Sequence, residues 1–459
     1  MYNIQFNQPC HVHFMGIGGI SMSGLAEILL NAGFTISGSD QNASSITEHL
    51  ESLGASIHIG QCKENINDSI DLVVYTAAIS KENEEYVAAL EKQIPMLSRA
   101  ELLGQLMTNY ETPIAVSGTH GKTTTTSMLT HILLAADCDP TISVGGILKA
   151  IGGNIRVGKS PLFVTEACEY TNSFLSFFPK ISVILNVEED HLDFFSGIEE
   201  ITESFHKFAG KLPKEGLLVI NGDIPTKDAI LEGLNCKVKT YGTSKENDYY
   251  PANISYDETG NSSFDLYFGD ELEGHYTLKV GGEHNIYNAI SAIIVAKELG
   301  IQNEQINEGF STFYGTNRRF EYKGDLCGVH VIDDYAHHPT EIQATLDAAA
   351  RYPHKELWCV FQPHTYSRTK AFLNEFAETL SKADHVVLAD IYAAREVDTG
   401  EISSKDLAEK IAAYGTDVHY FPSFDEIETF LLTNCKKNDL LITMGAGNVV
   451  NIGESLLNL

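Results

Sequence analysis

Paired cysteines are missing from this chain. Its eight cysteines, at 10, 62, 138, 168, 236, 327, 359 and 435, form no Cys-x-x-Cys pair and no zinc-finger spacing, so they read as scattered reduced thiols. Basic side chains are also scarce, with 31 Lys plus Arg against 62 Asp plus Glu, and the formal charge of −31 repels nucleic acid and anionic membrane surfaces. No nucleic-acid partner is expected, and a small anionic ligand would need local cations or a metal ion to overcome the field. The start of the chain lacks a basic segment followed by an apolar core, and no stretch approaches an uncharged membrane span. A cytoplasmic protein without membrane insertion is therefore expected, and no internal repeat or low-complexity tract points to an array.

With 459 residues the chain exceeds the size at which single cores stop growing, so two or three domains are expected. Short apolar segments ending in glycine or polar residues alternate with helical stretches. They lie at residues 11–15, 35–37, 71–76, 162–166, 182–186, 329–332, 357–361, 385–389 and 440–443, and this alternation implies parallel sheets. Residues 252–280 instead suggest short antiparallel strands. The polar, proline-ended stretch Thr108–Pro113 reads as a linker, and Gly315-Thr316-Asn317 marks a second boundary. The fold class expected is α/β in three domains: a Rossmann-like domain at 1–109, a central P-loop-type ATPase domain at 110–315 and a C-terminal Rossmann-like domain at 316–459.

The most informative motif is Gly118-Thr119-His120-Gly121-Lys122-Thr123-Thr124, between an apolar strand and a helix. Backbone N–H groups made accessible by glycine can wrap phosphate oxygens, Lys122 can neutralise the outer phosphates, and the Thr123 hydroxyl can hold Mg²⁺. Val116 occupies the position where the usual pattern has its first glycine, so the loop is a shorter variant. Earlier in the chain, Gly16-Ile17-Gly18-Gly19-Ile20-Ser21 is close to a dinucleotide fingerprint, with Ser39 and Asp40 about twenty residues on. Such a turn binds any pyrophosphate at a helix N-terminus, so it leaves the nucleotide open.

Further groups fall where strands run out. Glu166, followed by Glu169 and Asn172, offers carboxylates for a hard cation, although Glu169 reads equally well as a helix N-terminal charge. Asn186-Val187-Glu188-Glu189-Asp190-His191 packs acids, an amide and an imidazole densely enough to suggest a metal or phosphate, with a solvated acidic loop as the alternative. Asn288, after Gly282-Glu283-His284-Asn285, can read a base edge or face solvent. Arg318-Arg319 places guanidinium groups at a domain boundary, where they can reach a triphosphate, with a surface ion pair as the alternative that prevails on this pair alone. In the last third, Asp333-Asp334-Tyr335-Ala336-His337-His338-Pro339 and Gln362-Pro363-His364-Thr365-Tyr366-Ser367-Arg368 both follow apolar strands. Arg368 suits a carboxylate, and the imidazoles suit proton handling near neutrality.

Taken in order, the glycine turn with Ser23-Gly24, the Gly-Lys-Thr loop, Asp190-His191, His284-Asn285 through Asn288, and the Asp334–Pro339 run resemble the Mur ligases over nearly the whole chain. The branch resembled most joins L-alanine to the lactyl carboxylate of UDP-N-acetylmuramate in peptidoglycan precursor synthesis. The resemblance implies an ATP-dependent, ADP-forming ligase whose first domain holds the UDP-sugar through Gly16, Ile17, Gly18, Gly19, Ser39 and Asp40. It implies ATP bound by residues 118–124, with Asn288 at the adenine and Arg319 at the phosphates or ribose. Thr123, Glu166 and His191 would be ligands of Mg²⁺, for which Mn²⁺ can substitute. Tyr335, His337, His364 and Arg368 would face L-alanine. Lys122, His191, His337 and Arg319 are the catalytic candidates, and a monomer or weak homodimer is expected. Thr365 stands where many members carry arginine. Alternatives left open are a ligase attaching a ready-made muramyl tripeptide, a nicotinamide oxidoreductase built on the glycine turn and Asp40, and a non-catalytic nucleotide switch.

Overall fold

The computed structural model describes residues 3–76, 78–257, 260–394 and 396–459. Two compact units emerge: Met1–Val187 with Glu199–Tyr250 and Ala289–Gly309, and Glu188–Ile198 with Pro251–Asn288 and Phe310–Leu459.

The first unit opens with a five-stranded parallel sheet in the order Ser56–Ile59, Thr35–Asp40, His11–Met15, Leu72–Tyr75, Met96–Ser98. Strand order reverses beside His11–Met15, and at such a switch point a crevice opens at the carboxyl ends of the strands. The Gly16–Gly19 turn leaves that strand there. A second sheet runs Lys237–Tyr241, Leu217–Asn221, Ile181–Ile184, Thr112–Ser117, Leu162–Ala167, Thr141–Leu148, Gly153–Arg156, with all neighbours parallel except the last pair. Its central strands are apolar on both faces, as a sheet covered by helices on both sides requires.

Two glycines let helices of the first sheet rest directly on the second layer. A Cβ at Gly24, on helix Ile20–Asn31, would lie 1.9 Å from Ile155, and one at Gly104, on helix Arg99–Met107, would lie 1.9 Å from the Ser176 carbonyl oxygen.

The second unit holds a six-stranded sheet in the order Glu321–Leu326, Val329–Asp334, Leu440–Met444, Leu357–Phe361, His385–Leu388, Asp417–Tyr420, antiparallel only in its first pair. Successive residues serve opposite faces. Ile332, Phe361 and Ile442 enter the core under helices Pro339–Ala349 and Leu373–Leu380, while Val331, Val360 and Leu441 enter that under Phe424–Asn434 and Val450–Leu457. The antiparallel expectation is met by Ser262–Phe268 paired with Glu271–Thr277. Among the described residues no helix is long and apolar enough to cross a membrane.

Two local expectations need correction. Thr112 and Pro113 lie inside strand Thr112–Ser117, not in a linker, because proline is tolerated near a strand's start. The second strand runs to Asp40 instead of ending at Ser37, because its buried hydroxyls find partners: Ser37 Oγ lies 2.9 Å from His13 Nδ1, and Ser39 Oγ donates to Glu85 at 2.6 Å.

Candidate active site

In the first unit the Gly118–Gly121 loop follows the buried strand Thr112–Ser117 and ends at helix Lys122–Ala135. Gly118 and Gly121 adopt φ of +143° and +82°, values costly for other residues, and a Cβ at Gly118 would press on Leu185 at 2.9 Å. Asn186 pins the loop from the neighbouring strand's end: its Oδ1 accepts from His120 N at 2.7 Å, its Nδ2 donates to His120 O at 3.2 Å, and its carbonyl accepts from Thr119 N at 3.2 Å. Lys122 Nζ donates to the Gly118 and Thr119 carbonyls at 2.5 and 3.0 Å and pairs with buried Glu169 at 3.0 Å. Burial works against that charge, but Glu169, Cys168 and Glu166 together hold the ammonium above its ordinary pKa. It stays protonated for any phosphate that competes with Glu169 for it. Glu169 is thus a partner of the loop lysine, a role its sequence position alone did not reveal.

Glu166, at the end of strand Leu162–Ala167, accepts a hydrogen bond from Gly145 N at 2.6 Å. A Cβ at Gly145 would meet the Glu166 carboxylate at 2.8 Å, and one at Gly146 would lie 3.5 Å from the Thr123 methyl. Side chains on this glycine pair would fill the space beside Thr123 and Glu166. A hydroxyl and a carboxylate flanking a cradle kept clear by glycine fit a hard divalent cation.

At the other nucleotide-like motif, Gly16 takes φ +78°, and Gly16 N and Ile17 N both donate to the Ser39 carbonyl, at 2.8 and 3.0 Å. Asp40 Oδ2 accepts from Gly18 N at 2.9 Å, so this acid braces the glycine turn, and Gly19 caps helix Ile20–Asn31.

The remaining candidates belong to the second unit. A cavity of about 200 Å³ there is lined by Asp190, His191, Tyr335, His337, His364 and Arg368, together with Leu192, Asp193, Thr365, Ser367, Phe372 and Ala446. It therefore unites all four residues assigned to an amino acid. Buried Arg368 donates to Asp190 Oδ1 through Nε at 3.1 Å and Nη2 at 2.7 Å, and through Nη1 to His364 Nδ1 at 3.0 Å. Because the guanidinium donates, His364 Nδ1 accepts, which places that imidazole's proton on Nε2. Burial opposes the charge on Asp190, yet Arg368, His191 and His337 hold its carboxyl well below the usual range.

His337 Nδ1 faces the Tyr335 carbonyl at 3.0 Å and Glu341 Oε2 at 3.2 Å. Two acceptors keep the proton on Nδ1 and leave Nε2 with its lone pair. Burial pushes this imidazole down to about 4, against the pull of Glu341. Glu341 went unnominated in the sequence, although it stands one helical turn from His337. His191 adopts φ +53° and Thr365 φ +66°, two non-glycine residues in left-handed backbone on one cavity. His338 caps helix Pro339–Ala349, with Pro339 at its first position. Asn288 is buried on helix Glu283–Glu298, its Nδ2 3.4 Å from Asn285 Oδ1. Arg319 sits 3.5 Å from Glu341 and 5.3 Å over the Tyr335 ring.

Comparison with known proteins finds three family models in succession: "Mur ligase family, catalytic domain" over residues 11–111, "Mur ligase middle domain" over 116–296 and "Mur ligase, glutamate ligase domain" over 318–447. The chain is 58% identical to a protein from Agathobacter rectalis and 57% identical to one from Lachnospira eligens, covering 100% of both chains in each case. Both relatives are named UDP-N-acetylmuramate–L-alanine ligase. Among solved structures, the UDP-N-acetylmuramate-alanine ligase of Thermotoga maritima superposes with a TM-score of 0.80 at 27% identity over 98% of each chain. A murein peptide ligase of Psychrobacter arcticus gives 0.69 at 26% identity, also over 98% of each chain.

Proposed function

The chain belongs to the Mur ligase family, and from that premise we propose that it joins L-alanine to the lactyl carboxylate of UDP-N-acetylmuramate at the expense of ATP, releasing ADP and phosphate. The observation that carries this reading is the identity of 51–58% with relatives of that one name over 97–100% of the chain. A cavity of only about 200 Å³ around His337 and Arg368 supports a small amino acid over a ready-made tripeptide. The nicotinamide alternative leaves the Gly-Lys-Thr loop without a purpose. In this reading residues 1–109 bind the UDP-sugar, 110–315 bind ATP and 316–459 bring the amino acid.

The carboxylate attacks the γ-phosphate, forming an acyl phosphate, and the amine then displaces phosphate to leave the amide. An anion must first approach an anion. At ~4 Å and an effective dielectric near 20, each pair of like unit charges costs about 4 kcal/mol. Lys122, kept protonated by Glu169, supplies one counter-charge through the phosphate loop. Arg319 supplies another, and Asn288 holds the adenine. Thr123, Glu166 and His191 would hold Mg²⁺, or Mn²⁺ in its place. When bound, that ion neutralises phosphate oxygens and lowers the repulsion further. In the amine step the amine must attack in its neutral form, and His337 Nε2, with its lone pair free, can receive a proton released as the amide forms, while His364 and the Arg368 guanidinium face the amino-acid carboxylate. Closure of the lobes would keep water from the acyl phosphate.

Phosphate release should be measured with UDP-N-acetylmuramate and ATP across L-alanine, glycine, L-serine, D-glutamate and a muramyl tripeptide. L-Alanine is expected to give the highest kcat/KM. A preference for the tripeptide, or nicotinamide turnover without ATP consumption, would overturn the reading.

A further inference from the structure

The amino-acid cavity ends on a short glycine-flanked loop, Gly445-Ala446-Gly447, that leaves the carboxyl end of strand Leu440–Met444. Its middle residue, Ala446, lines the cavity. The loop has no freedom to carry larger residues at its ends. Gly445 adopts φ +145° and a Cβ on it would meet the Gln362 carbonyl oxygen at 2.7 Å, while a Cβ on Gly447 would strike Gln362 Oε1 at 2.3 Å and the Tyr392 ring at 2.8 Å. Glycine permits this close path but does not hold it, since a glycine-rich loop retains the most conformational entropy to be lost.

What holds it is Arg318, which does not itself line the cavity. Its Nη2 donates to the Gly445 carbonyl at 2.7 Å and its Nη1 to the Gly447 carbonyl at 3.0 Å, so one rigid fork grips the peptide on both sides of Ala446. The fork is fixed from behind: Nε donates to buried Asp333 Oδ2 at 2.8 Å, and Asp333 Oδ1 accepts from Thr443 Oγ1 at 2.7 Å. Arg318 also supports a second wall. Its guanidinium lies 4.9 Å over the Tyr335 ring, and its carbonyl accepts from Tyr335 N at 2.6 Å. Two lining residues on separate elements, Tyr335 and Ala446, are therefore tied to one side chain outside the cavity. Lysine carries the same charge but cannot reproduce three directed N–H groups in one plane.

We propose that Arg318 is a positioning residue that sets the width of the amino-acid cavity by clamping the Gly445–Gly447 loop, with Ala446 as the wall that limits the side chain accepted. The proposal rests on the reading that this cavity takes the amino acid. Arg319, its neighbour, sits 3.5 Å from Glu341 and among the described residues makes no hydrogen bond to the Gly445–Gly447 loop, so the clamp belongs to Arg318.

The test is steady-state kinetics of the full chain in three forms, wild type, Arg318→Lys and Ala446→Val, with KM determined separately for ATP, UDP-N-acetylmuramate and amino acid. For Arg318→Lys the expected result is a KM for L-alanine raised about tenfold or more, KM values for both nucleotides within about twofold of wild type, and a smaller preference for L-alanine over L-serine and L-valine. For Ala446→Val, L-alanine should lose at least tenfold in kcat/KM while glycine loses less. An unchanged KM for L-alanine in Arg318→Lys, or a parallel rise for ATP, would overturn the clamp. Should Arg318→Lys fail to fold, Ala446→Val decides the matter: equal losses for glycine and L-alanine contradict the wall. If wild type releases no phosphate with L-alanine, the functional reading fails instead, and the same comparison with whichever amine it accepts still tests Arg318.

Discussion

Arg368 and Asp190 lie buried against each other with two N–H groups on one carboxylate oxygen. Removing one partner strands the other charge in a poorly solvated place, at a cost of about 3–5 kcal/mol. Arg368→Ala should therefore lower stability in chemical denaturation as well as raise the L-alanine requirement, and the double variant Arg368→Ala with Asp190→Asn should recover most of the stability but not the KM. Failure of the double variant to recover stability would dissociate the pair. His337 gives a pH test. Its folded pKa of about 4 lies below the ordinary histidine value near 6.5, so its contribution to stability is complete above pH 6.5 and is lost as pH falls toward 4. The loss amounts to about 3 kcal/mol at the low end. Denaturation midpoints of wild type and His337→Gln should converge as pH drops from 7 to 4.5, and parallel curves would contradict the assigned environment. Lys122, Glu166, His337 and Arg368 could be singled out in the sequence because each follows a strand pattern beside glycine or histidine signals. Glu169 and Arg318 were singled out there with other meanings, a cation ligand or helix charge and a phosphate-reaching guanidinium, and Glu341 not at all, since their contacts come from partners in separate segments or on a helix face.

At the level of elements, glycine placement carries much of the architecture. Helix Arg99–Met107 approaches the backbone at Ser176 so closely that a methyl group at Gly104 cannot be accommodated without moving the helix. Gly104→Ala should cost about 1–3 kcal/mol as an overpacking change. A lowered thermal midpoint with Lys122 chemistry intact is the expected outcome, and an unchanged midpoint would mean the helix shifts freely. The alternation of strands and helices announced parallel sheets, and all nine apolar segments picked from the sequence fall on strands. Boundaries were harder. Strand Thr35–Asp40 continues through hydroxyl residues that carry no apolar signal, because buried His13 and Glu85 satisfy them from neighbouring elements. Pro113 looked like a stop and is instead a strand residue whose carbonyl accepts from Lys180 N at 2.8 Å.

For the whole molecule, a formal charge of −31 stands against the anionic substrates the family implies, a triphosphate, a diphospho-sugar and a carboxylate. Cationic groups are correspondingly placed: Lys122 sits in the Gly-Lys-Thr loop, and Arg318, Arg319 and Arg368 lie on or beside one cavity. The order of motifs along the chain made this organisation readable, whereas the division into two compact units crosses the three expected domain ranges and could not be read from composition or spacing. In the proposed reaction the sugar-borne carboxylate, and not the amino acid, takes the phosphoryl. Carrying ¹⁸O in the lactyl carboxylate of UDP-N-acetylmuramate and analysing the phosphate released during turnover with ATP and L-alanine tests this directly. One ¹⁸O atom should appear in inorganic phosphate for each amide formed. Phosphate free of label, with the amide still produced, would contradict it.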